Sequence, residues 1–164
     1  MLHRPGHSPS DTVFLDEQRR VLIAADHLLA HISSNPIVTR PLGAEGDYTG
    51  PRPHALVTYL DSLRKTRAME LDLVLPGHGP PLTDHAAVVD SRIRLHARRA
   101  ERIHALLSTE ALTAYEMASQ LWGNIAVTQA YLTLSEVLGH LDVLIDEGRV
   151  REREDDGVVR FEAS

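Results

Sequence analysis

The sequence predicts an α/β fold followed by a small unit of two helices and a β-hairpin. Three observations carry that reading. Two short β-type runs, TVFLD and RVLIAAD, stand close together near the N-terminus. A run with helical spacing is followed by the apolar strand LDLVL, which a Pro/Gly-rich turn stops. Near Ser108 the character changes to helix, helix, hairpin.

TVFLD and RVLIAAD flank Glu17 and Gln18 and read as a hairpin with Asp16 in the turn. The second run ends at Asp26. SSNPIVTRPLGAEGDYTGPRP is rich in Gly, Pro and Ser and reads as a loop. From Pro53 to about Met69, Leu56, Val57, Leu60 and Leu63 recur at helical spacing, and Pro53 suits a first helical turn. LDLVL is a strand whose following turn, PGHGPP, carries His78. A long helix comes next. Thr83 or Asp84 can cap it, and Val88, Ile93, Leu95, Ile103, Leu106 and Leu107 form its apolar stripe. TAYEMASQLWG is a short helix with Thr113 as cap, Glu116 at the capping-box position and Gly123 as stop. LTLSEVLGHLDVLIDEG is a helix ended by Gly148, and RVRERE, DDG and VVRFEA make a hairpin with a tight turn. Helix, helix, hairpin is the order of a winged helix. The expected domains are 1–107 and 108–164, bridged by the long helix.

The 164 residues contain no Cys, so disulfides and thiolate metal sites are excluded and His and Asp remain as ligand candidates. With two Phe and one Trp, the core must be mostly aliphatic. No apolar run approaches the roughly 20 residues of a membrane span. Arg4, Pro5, Gly6 and His7 stand where a signal peptide would have its apolar stretch. These traits point to a cytoplasmic protein with no membrane partner. Residues 1–107 hold 13 Lys and Arg against 12 Asp and Glu, whereas residues 108–164 hold 4 against 11, a net of −7. The C-terminal part should therefore repel nucleic-acid phosphates.

The candidate ligands are His7, Asp26 and His78. His7 lies in a Pro-Gly-His turn just before a strand, Asp26 at the end of a strand, and His78 in a Pro-Gly-His-Gly-Pro turn just after one. Sites in α/β layers gather at strand ends. Glycine lets the backbone approach closely and proline leaves the loop little freedom to lose, as a metal ligand needs. Taken singly, each His reads as part of a surface turn. Two repeated Pro-Gly-His turns with a strand-end Asp read as a set. His3 and His27 flank the proposed ligands as candidate hydrogen-bond donors to them. His31, in the loop after Asp26, could face a substrate, as could ISSNP. His54, His85, His96, His104 and His140 fall on helical runs and read as surface or core-edge residues.

PGHSPSDTVFLDEQRRVLIAADHLL and DLVLPGHGPPLTDH resemble the later metal-binding motifs of metallo-β-lactamase-fold hydrolases, the glyoxalase-II-like and β-lactamase-like group. TAYEMASQLWG and LSEVLGHLDVLIDEGRV resemble the winged-helix domain attached to many of them. The resemblance covers nearly the whole chain. It implies the C-terminal half of an αββα metallo-β-lactamase sandwich followed by a small winged-helix domain. It also implies zinc as cofactor in a two-metal site: His7 completing the first zinc site, Asp26 bridging both metals, His78 completing the second. The family's other ligands come from a His-x-His-x-Asp-His motif, which also carries the Asp that orients the nucleophilic water. The chain contains no such motif. The resemblance therefore implies a metal-dependent hydrolase of an ester, thioester or phosphodiester, of which this chain holds one part and, alone, little activity.

Arg92, Arg94, Arg98, Arg99 and Arg102 cluster on the long helix, with Arg94, Arg98 and Arg102 on one face. They could attract an anionic substrate such as RNA or a coenzyme A ester; a solvated face paired with Glu101 and Asp90 is the favoured reading. The stretch Gln129–Glu147 carries Glu136, Asp142, Asp146 and Glu147 and no Lys or Arg, which disfavours DNA binding by a recognition helix. Arg149, Arg151 and Arg153 of the wing are offset by Glu152, Glu154, Asp155 and Asp156. The winged helix is expected to be a structural or substrate-site cover. Expected partners are a small-molecule or anionic substrate and either a second copy or a complementing N-terminal half. The rival readings are a non-enzymatic nucleic-acid-binding winged helix and a pseudoenzyme or interaction module completed by another chain.

Overall fold

A computed structural model describes residues 1–164. The chain divides into two compact units, Met1–Leu95 and His96–Ser164. The division falls inside the long helix, N-terminal to the boundary expected near Ser108. The physical reason is local: Ala100, Ile103 and Leu107, on the second half of that helix, belong to the core of the C-terminal unit.

The first unit holds a four-stranded sheet in the order β1 (Leu2–His3), β2 (Thr12–Asp16), β3 (Val21–Ala25), β4 (Leu73–Pro76). The first two pairings are antiparallel and β3–β4 is parallel. Asp16 closes the β2–β3 hairpin through its carboxylate, which accepts the Arg19 N–H at 3.0 Å. That short-range bond is why Asp16 reads as a turn residue in sequence. Alternation assigns the two faces. Val13, Leu22, Ala24 and Val74 are fully buried, while Phe14 and Ile23 are 53% and 52% exposed.

Helix α1 (Ala55–Arg67) is slightly shorter than the expected span; it buries Leu56, Leu60 and Leu63 as expected, leaves Val57 half-buried and buries Tyr59 as well. It is tied to the segments flanking the strands. Ser62 Oγ donates to the Pro5 carbonyl at 2.7 Å, and Tyr59 Oη to the His27 carbonyl at 3.1 Å. Helix α2 (His85–Leu106) begins where Asp84 Oδ1 accepts the Ala87 N–H at 2.9 Å, so Asp84 rather than Thr83 makes the capping bond. The stretch between Ile32 and α1 contains no regular helix or strand, as its composition predicts.

The second unit holds α3 (Ala114–Trp122), a short α4 (Ile125–Thr128), α5 (Ala130–Asp146) and the hairpin β5 (Val150–Asp155)–β6 (Val158–Ala163). The capping box on α3 is complete: Thr113 accepts from Glu116 N, and Glu116 accepts from Thr113 N. The β5–β6 turn is the two-residue Asp156-Gly157, with φ of 50° and 76°. Both values are positive, as a twist-matched tight hairpin requires. The core gathers Met117, Val137, Leu141, Leu144 and Phe161 with the α2 residues above.

The expectation of surface or core-edge histidines on the helices is corrected at three positions: His85, His96 and His140 are 8%, 2% and 1% exposed. The latter two satisfy each other, His96 Nδ1 lying 3.3 Å from His140 Nε2. Asp142, counted among the charges of α5, is fully buried.

Candidate metal centre

The strand–turn architecture delivers the three candidate ligands to one place. At the end of β3 the pairing with β4 shifts between Ile23 and Ala25, and Ala25 takes a left-handed φ of 44°. This bulge re-aims the chain immediately before Asp26. His78 sits in a turn closed at its base by the Val74–Leu82 pair, whose N–H···O bonds are 2.8 and 2.9 Å. Gly77 N–H also donates to the Ala25 carbonyl at 2.7 Å, strapping the His78 turn to the strand end that carries Asp26. A Cβ at Gly77 would stand 2.5 Å from Asp26 Oδ1 and 3.1 Å from the Ala25 carbonyl carbon, so glycine leaves the Asp26 carboxylate its place and lets the two backbones pack closely.

His7 arrives from the other side on the Pro5–Pro9 turn. Asp11 braces that turn, its carboxylate accepting Ser8 N–H at 2.9 Å and Ser8 Oγ at 2.6 Å. A Cβ at Gly6 would lie 2.8 Å from Tyr59 Cα, so this glycine too is set by a close approach, here of α1.

The resulting geometry is a carboxylate between two imidazoles. His7 Nε2 stands 3.9 Å from Asp26 Oδ2, and His78 Nε2 stands 3.6 Å from Asp26 Oδ1. Each oxygen faces a different ring. His7 Nδ1 lies 3.3 Å from the Asn35 carbonyl, which can only accept, so Nδ1 carries a proton and Nε2 is the nitrogen directed toward Asp26. Ser34 Oγ donates to the Asp26 carbonyl. The SSN stretch, read in sequence as substrate-facing, thus ties His7 and Asp26 into the loop between them. Those bonds span 28 and 8 residues, and no local pattern announces them. Arg92 fastens the same loop through the carbonyls of Leu29 and Ala30, at 3.3 and 3.0 Å.

The remaining candidates lie apart from this set. His27 is 1% exposed and its ring bonds Thr66 Oγ1 at 2.8 Å, not a ligand; burial pushes its pKa down to about 4. It is a core residue, because the chain has turned inward again one residue past Asp26. His3 bonds the Pro9 carbonyl at 3.0 Å, within the turn that carries His7, and His31 is exposed. Of the arginines on α2, Arg99 pairs with Glu136 at 2.7 Å. The acids expected to pair within the helix bond elsewhere, Asp90 with Arg67 at 2.5 Å and Glu101 with Arg149 at 2.6 Å.

Two ligands each about 2.0–2.2 Å from one zinc ion at tetrahedral angles stand roughly 3.4 Å apart. The 3.6 and 3.9 Å separations are slightly wider than that and too long for hydrogen bonds. The Asp26 oxygens are acceptors and an imidazole nitrogen can be one, so a cation can occupy the gaps. No group of three or more His, Asp or Glu in this chain closes on a single point, however. The donor set fits a share of a two-metal centre, two ligands per ion with Asp26 common to both.

Comparison with known proteins agrees with this fold. Residues 1–78 match the family model "Metallo-beta-lactamase superfamily", and residues 100–164 match "Metallo-beta-lactamase-like, C-terminal domain". The Bacillus subtilis protein named "Probable metallo-hydrolase YqjP" is 36% identical over 144 residues, 88% of this chain and 44% of that protein. A beta-lactamase domain protein from Burkholderia ambifaria superposes with a TM-score of 0.81 at 28% identity, covering 98% of this chain and 45% of that one. A metallo-beta-lactamase family protein from Thermus thermophilus does so at 0.79 and 26%, covering 99% and 48%. The chain thus spans less than half the length of each of these relatives. Its residues 1–78 match the metallo-beta-lactamase superfamily and its residues 100–164 the C-terminal domain of metallo-beta-lactamase-like proteins, and its fold is that of a part of such a protein.

Proposed function

We propose that His7, Asp26 and His78 are this chain's contribution to a two-zinc hydrolytic centre that cleaves an ester, thioester or phosphodiester. The observation that carries the reading is the placement of one imidazole Nε2 opposite each oxygen of a single carboxylate. Zinc held there would supply Lewis acidity toward a carbonyl and lower the pKa of water. The chain's own residues do the positioning. Asn35 holds His7 Nδ1, Ser34 and the Ala25 bulge aim Asp26, and Gly77 sets its distance from the His78 turn.

Two ligands per ion fall short of the three protein ligands of a catalytic zinc. Hydrolysis by the 164 residues alone is therefore expected to be slight, with ligands and the water-orienting Asp supplied by a complementing N-terminal half. Residues 108–164 are read as a winged helix with a structural role, since their net charge of −7 opposes phosphate binding. No helix is long and apolar enough to cross a membrane.

Equilibrium dialysis with zinc tests the site. Wild-type protein should bind zinc weakly, and Asp26→Asn should bind at least tenfold more weakly, because both ions lose a ligand. Equal zinc binding by the two proteins overturns the assignment. Zinc-dependent turnover of model esters at ordinary enzyme rates by this chain would overturn the expectation of slight activity.

A further inference from the structure

Beside the His7 turn lies a cavity of about 190 Å³ that the metal centre does not use. Its walls include Pro5, Gly6, Ile37, Leu42, Ala55 and Thr58, and no charged side chain lines it. Much of the polar capacity of these walls is already spent. Thr58 Oγ1 donates to the His54 carbonyl at 3.0 Å, the Pro5 carbonyl accepts from Ser62, and Gly6 N–H donates to the Ser8 carbonyl at 3.0 Å. The prolines have no N–H to offer. Such a surface suits apolar groups and offers a phosphate no charged side chain.

Position adds to chemistry. Pro5, Gly6 and Pro9 line the cavity, and His7 sits between them on the same turn. Consecutive Cα atoms are about 3.8 Å apart, so cavity wall and candidate ligand are separated by roughly one residue. A group seated in the cavity and a carbonyl beside His7 can therefore belong to one small molecule. Size narrows the group further. An apolar cavity of about 150 Å³ accommodates benzene, so this one has room for roughly six to eight carbon atoms.

We infer that this cavity is the acyl subsite of the hydrolase, and that the substrate is an ester or thioester of a short aliphatic acid rather than a phosphodiester. The inference rests on the metal-centre reading for the word acyl; the cavity's preference for an aliphatic chain stands by itself.

The test is a methyl- and amide-detected NMR titration of the full chain, in chelator to remove metal, with methyl hexanoate and methyl acetate as probes. Methyl hexanoate should shift signals of Ile37, Leu42 and Ala55 and bind at least tenfold more tightly than methyl acetate. Ala55→Phe and Thr58→Met, which narrow the cavity from two successive turns of α1, should each weaken methyl hexanoate at least tenfold. Equal affinity for the two esters, shifts confined to other residues, or undiminished binding by both folded variants would overturn the subsite. Selective ester binding by a wild-type protein that takes up no zinc would sink the metal reading while upholding the cavity's aliphatic preference. Zinc uptake without ester selectivity would do the reverse.

Discussion

Gly77 shows how one missing Cβ can set a site. An alanine there would need its methyl carbon 2.5 Å from Asp26 Oδ1, closer than real contacts allow, so either the carboxylate or the His78 turn must move. Gly77→Ala should therefore destabilise the first unit by about 1–3 kcal/mol, as overpacking does, and should weaken zinc uptake as well. Urea denaturation and zinc dialysis on the same variant check the pair of effects. A variant as stable as wild type with unchanged zinc binding would refute the close-approach argument. Gly77 and His78 were both visible in sequence as parts of a Pro-Gly-His turn. The pressure on Gly77 was not, because the atom it must avoid comes from a residue 51 positions earlier.

At the scale of elements, what sequence revealed and what it concealed divide by range. The α3 capping box, the Asp16 turn and the Asp156-Gly157 hairpin were legible because each is closed within three residues. The Ser34 and Asn35 tethers were illegible because their partners are backbone carbonyls or rings brought back by the loop. His27 misled for another reason. Strand alternation stops at the Ala25 bulge, and the count that would have placed its ring fails there. The buried pair between α2 and α5 was hidden by composition alone, since polar residues on helices read as surface.

That pair carries a pH dependence. His140 Nδ1 donates to the Glu136 carbonyl at 2.7 Å, so its Nε2 must accept from His96, and a second proton there would set two N–H groups face to face. Burial lowers the His140 pKa below its ordinary value of about 6.5; the Glu136 carboxylate, 3.8 Å away, opposes the shift, and Arg99 adds to it. The unfolded chain thus takes up the proton at a higher pH than the fold does. The contribution to stability is whole above about pH 6.5 and is lost as the pH falls below it. Urea midpoints at pH 7.5 and 5.5 should drop toward acid in wild type and drop less in His140→Gln. Parallel drops in the two proteins would discount the pair.

Across the first unit's sheet, Phe14 faces Ile23, which in turn faces Leu75, so three strands present an apolar row on the face opposite the core. Phe14 and Ile23 are each about half exposed. Covering such side chains is worth about 1.5–3 kcal/mol apiece when complete, enough to favour association. Sedimentation velocity over rising concentration should show self-association that Phe14→Thr with Ile23→Thr reduces, threonine being chosen to keep the strand propensity. A wild-type chain that remains monomeric at high concentration would contradict this. The net charge of −7 on residues 108–164 opposes association, since like charges repel.

The left-handed φ at Ala25 has a consequence for anyone who would move this site elsewhere. An alanine in that conformation is under a small backbone strain that glycine would relieve. Ala25→Gly would ease the bend, yet it would also free the joint and let the carboxylate wander. The coordinates of the ligand are thus written in the main chain rather than in a rotamer. Grafting Asp26 alone onto another sheet would carry the chemistry without its address; the portable unit is the bulge, the strap from Gly77 and the acid together.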